Sequence, residues 1–476
     1  MNSSTDTSAR ALQPRHGFED QEISMTFTEK LDRYLQAEVD NSQVPGLGVA
    51  IVQDGDVVHL AGYGLANVEN LTPVTPDTVF HSGSTGKMFT SASVMFLMQD
   101  GLIKLDDPLN RYIPEGPESW GGITIRNLLS MMAGFGNFDI VFAGTEGGEG
   151  GAVPLNLWQD HSDEQLIDLA RRSPFMYQPG AGYQYSNTGY ILAGLVVARV
   201  SGKPYYELLR ERLFEPIGMA TAREASWFDI VPNRAAGHCI REGKLENRYW
   251  AAPTLQRTGD GGLYFSPRDI TRWLLELDNP TVLRPDTIAL MSEPVLMKNG
   301  QPSFNNYALG WQNSVTRGHR KIRHGGTWDG FRAEIARFPA HKLSVCVLAN
   351  TDEAQVARIG QKIAGIVDPA LAPYEPIADG NTAQTRRDHE LLQAIVDRRA
   401  PREGFAEEAW HLWNNGWFEQ IAASGVSVAG VPLELTHQEG DGAARRYRLE
   451  MGGYHLHWTI SRDAEDRVSE MRFHME

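Results

Sequence analysis

Cysteine is scarce. Cys239 and Cys346 are the only two in 476 residues. They are too few for the disulfide framework of a small secreted domain, and both fit a reducing compartment. Basic residues are also short: 44 Lys and Arg stand against 60 Asp and Glu, a formal charge of −16. A surface that reads phosphates needs clustered Lys and Arg, so the balance disfavours a nucleic-acid partner. No stretch approaches the roughly 18 consecutive apolar residues of a membrane-spanning helix, so no membrane partner is expected. The opening residues, MNSSTDTSARALQPRHGFEDQ, lack the apolar core of a secretory signal, and a cytoplasmic location is the expectation. No His/Cys/Glu cluster has zinc spacing and no phosphate-cradling glycine loop follows a strand, so no cofactor or metal is expected. What is present is globular: 41% hydrophobic and 22% charged residues, with length for two or three domains of about 100–200 residues each.

Residues 1–22 read as a polar tail. The segment VPGLGVAIVQDGDVVHL from Val44 to Leu60 predicts a hairpin turning at Asp54-Gly55. A matching pair, Phe331–Phe338 and Leu343–Leu348, flanks a turn at Pro339–Lys342. Strands at both ends of a long stretch with helical patterns between them predict one α+β domain over 23–367. Its antiparallel sheet would be closed by the chain ends and flanked by helices, with a helical lobe inserted. In the lobe, Lys87–Gln99 is apolar on nearly every face, the mark of a helix buried all round. Tyr190–Val200 is a second helix, ended by Ser201-Gly202 and Pro204. Between them Gly144-Thr-Glu-Gly-Gly-Glu-Gly-Gly151 reads as a surface loop. A Pro-rich linker follows at 368–385. Residues 386–476 then read as a small α+β accessory domain: helical patterns at about 386–399 and 404–422, and short strands including Tyr447–Met451, His455–Ile460 and Val468–Met475. His455 and His457 share one strand face, but without a third convergent ligand this reads as a half-exposed face, not a metal site.

Three short patterns fit one chemistry. In Ser84-Thr-Gly-Lys87 the serine and lysine lie three apart at a helix start, so Oγ and Nζ can meet. A serine hydroxyl is a poor nucleophile until a base takes its proton, and a buried lysine at a helix N-terminus can serve as that base. Tyr185-Ser-Asn187 offers a phenol that can relay a proton and an amide that can bind both a carbonyl and the lysine. His324-Gly-Gly-Thr327 precedes the second strand pair. Its glycines let a strand edge approach a ligand, and the Thr327 N–H could pair with that of Ser84 as an oxyanion hole.

Together these patterns resemble the serine β-lactamase and penicillin-binding superfamily, in particular its class C-like branch, the DD-carboxypeptidases, D-aminopeptidases and family VIII esterases. Further segments fall in family order: Val44-Pro-Gly46, Gly101-Leu-Ile-Lys-Leu-Asp-Asp-Pro108, Pro179-Gly180, Phe214-Glu-Pro-Ile-Gly-Met219, Gly261-Gly-Leu263, Tyr307-Ala-Leu-Gly-Trp311 and Val347-Leu-Ala-Asn350. The resemblance covers roughly 25–365 and implies a β-lactamase-like fold. It makes Ser84 the acylated nucleophile, with Lys87 and Tyr185 sharing the acid and base work. It assigns substrate or oxyanion binding to Asn187, His324, Gly326 and Thr327. His324 stands where lactamases carry the Lys of a Lys-Thr-Gly triplet; Lys298-Asn-Gly300 fits that triplet too but is out of order. A neutral or half-charged imidazole holds a substrate carboxylate less firmly than a lysine. The leaning is therefore toward peptidase or amidase action on small, unusual or D-configured substrates, with carboxylesterase action as the alternative and lactamase action third. Ser130-Met-Met-Ala-Gly134 replaces the family's common Ser-His-Thr-Ser-Gly, predicting either an apolar cleft rim or simple packing into the lobe. A non-catalytic binding or sensor protein is the reading from another class; retention of Ser84, Lys87, Tyr185 and Asn187 opposes it. For 386–476 two roles stay open: pairing protomers into a homo-oligomer, or covering the cleft to set substrate size.

Overall fold

The computed structural model describes residues 26–41, 44–135, 161–173, 175–226, 228–248, 258–303, 306–372, 374, 376–413, 428, 430–439, 444–451 and 454–475. The polar tail, the Gly/Glu-rich loop at 144–151 and residues 414–422 of the second C-terminal helical pattern lie outside them.

The hairpin forms as the sequence predicts. Gly46–Gln53 and Asp56–Asn67 pair antiparallel, and Asp54 and Gly55 take the positive φ values, 52° and 85°, of a tight two-residue turn. Gly46–Gln53 then pairs with Leu343–Ala349, Leu47 opposite Ala349, so the two ends of the domain close one sheet. Its seven strands run in the order Thr72–Pro73, Asp56–Asn67, Gly46–Gln53, Leu343–Ala349, Phe331–Phe338, His319–Trp328, Gln312–Thr316. Strand residues alternate between two cores, as a period of two requires. Leu47, Val49 and Ile51 pack with Val345 and Val347 under the helices Phe27–Asn41 and Val356–Val367. Ala50, Val52, Cys346 and Leu348 face the helical lobe. Gly48 lies under Pro267, the first residue of the helix Pro267–Asp278, where a Cβ would stand 2.5 Å from the ring.

The lobe is built round the helix Lys87–Gln99, of whose thirteen residues eleven are buried. A helix without a polar face cannot sit on a surface, so this one is clasped between sheet and lobe. Asn187–Ser201 packs beside it and ends at Gly202, left-handed at φ 69°. Met131 and Met132 are 1% and 0% exposed, so the Ser130–Gly134 segment packs into the lobe and is not an apolar rim.

Beyond the sheet, the chain does not stay extended as far as residue 385. A helix runs Thr382–Val396, starting at the Asn381 cap, and a shorter one Glu407–Trp413. Four antiparallel strands follow in order: Glu434–Glu439, Ala444–Met451, Tyr454–Arg462 and Val468–Met475. The reading of His457 on a half-exposed face is corrected. His457 is 4% exposed, its ring edge-on to Tyr374 at 6.3 Å, while Leu456 and Trp458 face a separate core with Tyr447 and Phe405. The Tyr374 ring also lies against Arg317 of the large domain and Arg446 of the small one, so both faces of the strand are covered. The side chain of His455 is outside the described residues.

Candidate active site

Ser84 sits in a single 3-10 turn, Gly83–Gly86, that runs directly into the buried helix. Side chains three apart eclipse in that geometry, which points Ser84 and Lys87 the same way. Lys87 Nζ donates to Ser84 Oγ at 3.0 Å and to the Asp260 carbonyl at 2.6 Å. Lys87 is 0% exposed while Ser84 is half-buried, so the pair opens toward solvent only at the serine. The turn is held by close approach. Gly83 is left-handed at φ 48°, and a Cβ there would stand 2.6 Å from the Thr327 nitrogen. A Cβ on Gly326 would stand 2.3 Å from the Ser82 carbonyl oxygen. Glycine is thus needed on both sides of the contact that seats the His319–Trp328 strand on the Ser84 turn. Gly261 closes the third side, with 2.5 Å to the Gly83 carbonyl oxygen.

Tyr185 brings its ring to 5.0 Å from Lys87 Nζ, and Tyr190 from the following helix lies at 5.7 Å. The helix is capped by Ser186, whose Oγ accepts the Gly189 amide at 3.3 Å; Asn187 is the first helical residue, not the cap. The Tyr185 loop is tied to the lobe through Met131, itself left-handed at φ 62°. The Met131 carbonyl accepts the Gln184 amide and its thioether accepts the Ser186 amide, at 3.0 and 3.3 Å.

His324 is 4% exposed and neutral. Burial, the Lys87 charge and Arg323 push its pKa down to about 3, the Gly325 carbonyl opposing. Its Nδ1 lies 2.7 Å from the Gly325 carbonyl and its Nε2 2.8 Å from Tyr307 Oη. Only one tautomer satisfies both: Nδ1–H donates to the carbonyl, and the Tyr307 hydroxyl donates to Nε2. The imidazole therefore carries no charge for a substrate carboxylate.

The structure thus gathers Ser84, Lys87, Tyr185, Gly326 and Thr327 around one turn, with His324 behind them and Asn187 opening the next helix. Lys298 lies instead on an exposed turn whose amide donates to the Gly180 carbonyl. Sequence reasoning missed the Tyr307 contact to His324, the Asp260 carbonyl under Lys87 and the Met131 thioether. Tyr307 and Gly261 stood in quoted segments, but nothing in their spacing paired them with the turn. Among the described residues no group of three or more His, Cys, Asp or Glu side chains could hold a metal ion. No helix among them is long and apolar enough to cross a membrane.

A pH dependence of stability follows. His81, also buried, has its pKa pushed down to about 3, as His324 has, against 6.5 for an exposed ring. The unfolded chain binds two protons that the fold refuses, so their contribution is intact above pH 6.5 and is lost as pH falls toward 3. Each histidine then removes up to about 1.4 kcal/mol per pH unit, about 2.7 kcal/mol together. His59 and His238 shift the same way. Urea midpoints are expected to fall steeply between pH 6 and pH 4; a flat profile rules out neutral buried imidazoles.

The β-lactamase family model matches residues 31–366. An unguisins hydrolase of Aspergillus campestris is 29% identical over 356 residues, 70% of this chain and 62% of that protein. A D-aminopeptidase of Gluconobacter oxydans is 30% identical over 358 residues, 74% of this chain and 64% of that protein. The chain thus spans just under two thirds of these curated relatives. Among solved structures, the octameric penicillin-binding protein homologue from Pyrococcus abyssi aligns with TM-score 0.61 at 19% identity, over 94% of this chain and 100% of that one. The D-amino acid amidase from Ochrobactrum anthropi SV3 aligns with TM-score 0.61 at 23% identity, over 72% of this chain and 97% of that one. At such identities the two structures speak for the fold, and the match over 31–366 speaks for descent. The chain belongs to the β-lactamase family.

Proposed function

We propose that the protein is a serine hydrolase that cleaves a small amide or ester through an acyl-enzyme on Ser84, with a leaning toward amides of D-configured amino acids or short peptides. The observation that carries this is the 3.0 Å contact between Ser84 Oγ and a lysine with no exposed surface. A lysine so placed can take the hydroxyl proton as Oγ attacks the carbonyl carbon. Tyr185, against Lys87, is the second proton carrier and delivers a proton to the departing nitrogen or oxygen. Water then attacks the ester on Ser84, and the same pair returns the proton to Oγ. The Ser84 and Thr327 amides form the oxyanion hole, with Gly83 and Gly326 allowing their approach. Asn187 orients Lys87 and the substrate carbonyl.

The substrate leaning rests on two supports. His324 is neutral and occupied by Tyr307, so this position offers no cation to a β-lactam carboxylate. Relatives in sequence and in fold include a D-aminopeptidase and a D-amino acid amidase. The test is intact-protein mass spectrometry after brief mixing with p-nitrophenyl esters, D- and L-aminoacyl p-nitroanilides and benzylpenicillin, with released chromophore followed in parallel. An acyl adduct that maps to Ser84 and turns over is expected, fastest on a D-aminoacyl anilide. Turnover of esters alone would replace the amidase by a carboxylesterase. A persistent penicillin adduct without turnover would mark a penicillin-recognising site, and no adduct with any reagent would sink the reading.

A further inference from the structure

Three residues before Ser84 stands a histidine that this chemistry does not use. His81 is 2% exposed. Its ring stacks on Trp328 at 5.0 Å and 8°, meets Tyr264 edge-on at 5.4 Å and lies 6.2 Å from Phe331. Nδ1 accepts the Gly83 N–H at 3.0 Å, which places the neutral ring's proton on Nε2. That Nε2–H is buried and meets no hydrogen-bond partner. A phenyl ring would fill the same aromatic box without an unmatched N–H, so the histidine costs stability where it stands. What a phenyl ring cannot do is hold the Gly83 amide.

That amide matters because Gly83 joins the Phe80–His81 strand to the Ser84 turn and is left-handed at φ 48°. The peptide on its N-terminal side is held by His81, and its own carbonyl is packed under Gly261, where a Cβ would stand 2.5 Å from the oxygen, while Ser82 Oγ gives its one proton to the Gly261 carbonyl at 2.6 Å. With the first peptide plane hydrogen-bonded and the second bounded by Gly261, the rotation at Gly83 is restricted, and so is the direction of the Ser84 N–H. We propose that His81 is a positioning residue: its Nδ1 anchors the Gly83 amide and thereby aims the Ser84 N–H and Oγ. The inference rests on the Ser84 chemistry proposed above.

Two substitutions separate the acceptor from the ring. In His81→Asn, Oδ1 takes the place of Nδ1, so the acceptor stays and the stacking is lost. In His81→Phe the stacking stays and the acceptor is lost. H81F is expected to slow acylation of Ser84 by a p-nitrophenyl ester about 10- to 100-fold at similar KM, and to melt no lower than the wild type. H81N is expected to stay within about threefold in rate while melting lower. The reverse order, H81F active and H81N inactive, overturns the proposal and makes His81 a packing residue. Should the larger phenyl ring fail to fit, His81→Leu removes the acceptor with less bulk and carries the same expectation. A second readout does not depend on turnover. Amide hydrogen exchange in a peptide covering 80–87 should quicken in H81F and not in H81N; equal protection in both overturns the proposal. If the wild type takes no acyl group at Ser84, the function falls while the exchange experiment still decides whether His81 holds the turn.

Discussion

Ser84→Ala is expected to abolish the acyl adduct, and Lys87→Met to slow its formation by about 10³-fold or more, with little loss of stability in either. The lysine substitution is the more informative. Lys87 has no exposed surface, and its Nζ is held by Ser84 Oγ and the Asp260 carbonyl. A methionine fills most of the same volume without a polar group to desolvate, so the helix Lys87–Gln99 keeps its packing. What vanishes is the amine in contact with Ser84 Oγ. Because nucleophile and base act on one proton, the double variant should be little worse than Ser84→Ala alone. Stopped-flow acylation with melting curves reads all three variants. If Lys87→Met stays within tenfold of the wild type, another group is the base, and Tyr185, whose ring lies 5.0 Å from Nζ, is the next to replace.

How far the sequence carried depended on how local each interaction is. Ser84 and Lys87 are three residues apart, and the helix behind them is apolar all round, so both the pair and its burial were legible. The hairpin at Asp54-Gly55 was legible for the same reason: turn chemistry is written in adjacent residues. Tyr307 and His324 meet across 17 positions and two separate elements, which no periodicity reports. The Asp260 contact uses a main-chain carbonyl, and a carbonyl has no residue type to recognise. His457 was misread because alternation along a strand predicts two unlike faces, whereas a linker tyrosine covers the second face here. His81 had no legible signal, since its aromatic box is assembled from Tyr264, Trp328 and Phe331 far along the chain. The finer function stayed out of reach for a different reason. One fold hosts several activities, and the fold alone does not fix which of them its site performs.

Gly326→Ala is the other large effect, and it tests whether strand-to-turn contact sets the site. A Cβ on Gly326 would stand 2.3 Å from the Ser82 carbonyl oxygen, 3.1 Å from Thr85 Cγ2 and 3.2 Å from Ala333 Cβ. The first of these is main chain, so no side chain can swing aside and the strand must move off the turn. Such overpacking costs about 1–3 kcal/mol, which a large domain tolerates. The chemistry tolerates it less. If the Thr327 amide, one residue on, is an arm of the proposed oxyanion hole, a shift of about 1 Å there is expected to lower kcat by 10²- to 10³-fold. Gly325→Ala supplies the control on the same strand. Its Cβ would meet Arg323 Nη2 at 3.1 Å and Glu334 Oε2 at 3.5 Å, the facing ends of a part-buried ion pair and not main chain, so the cost falls on that pair and not on the Ser84 turn. That variant should keep its rate within about fivefold while losing comparable stability. Steady-state kinetics on the best chromogenic substrate, with urea midpoints for both variants, separates the two effects. Equal rate losses at 325 and 326 would mean that strand stability, not the approach of Thr327 to Gly83, limits the reaction.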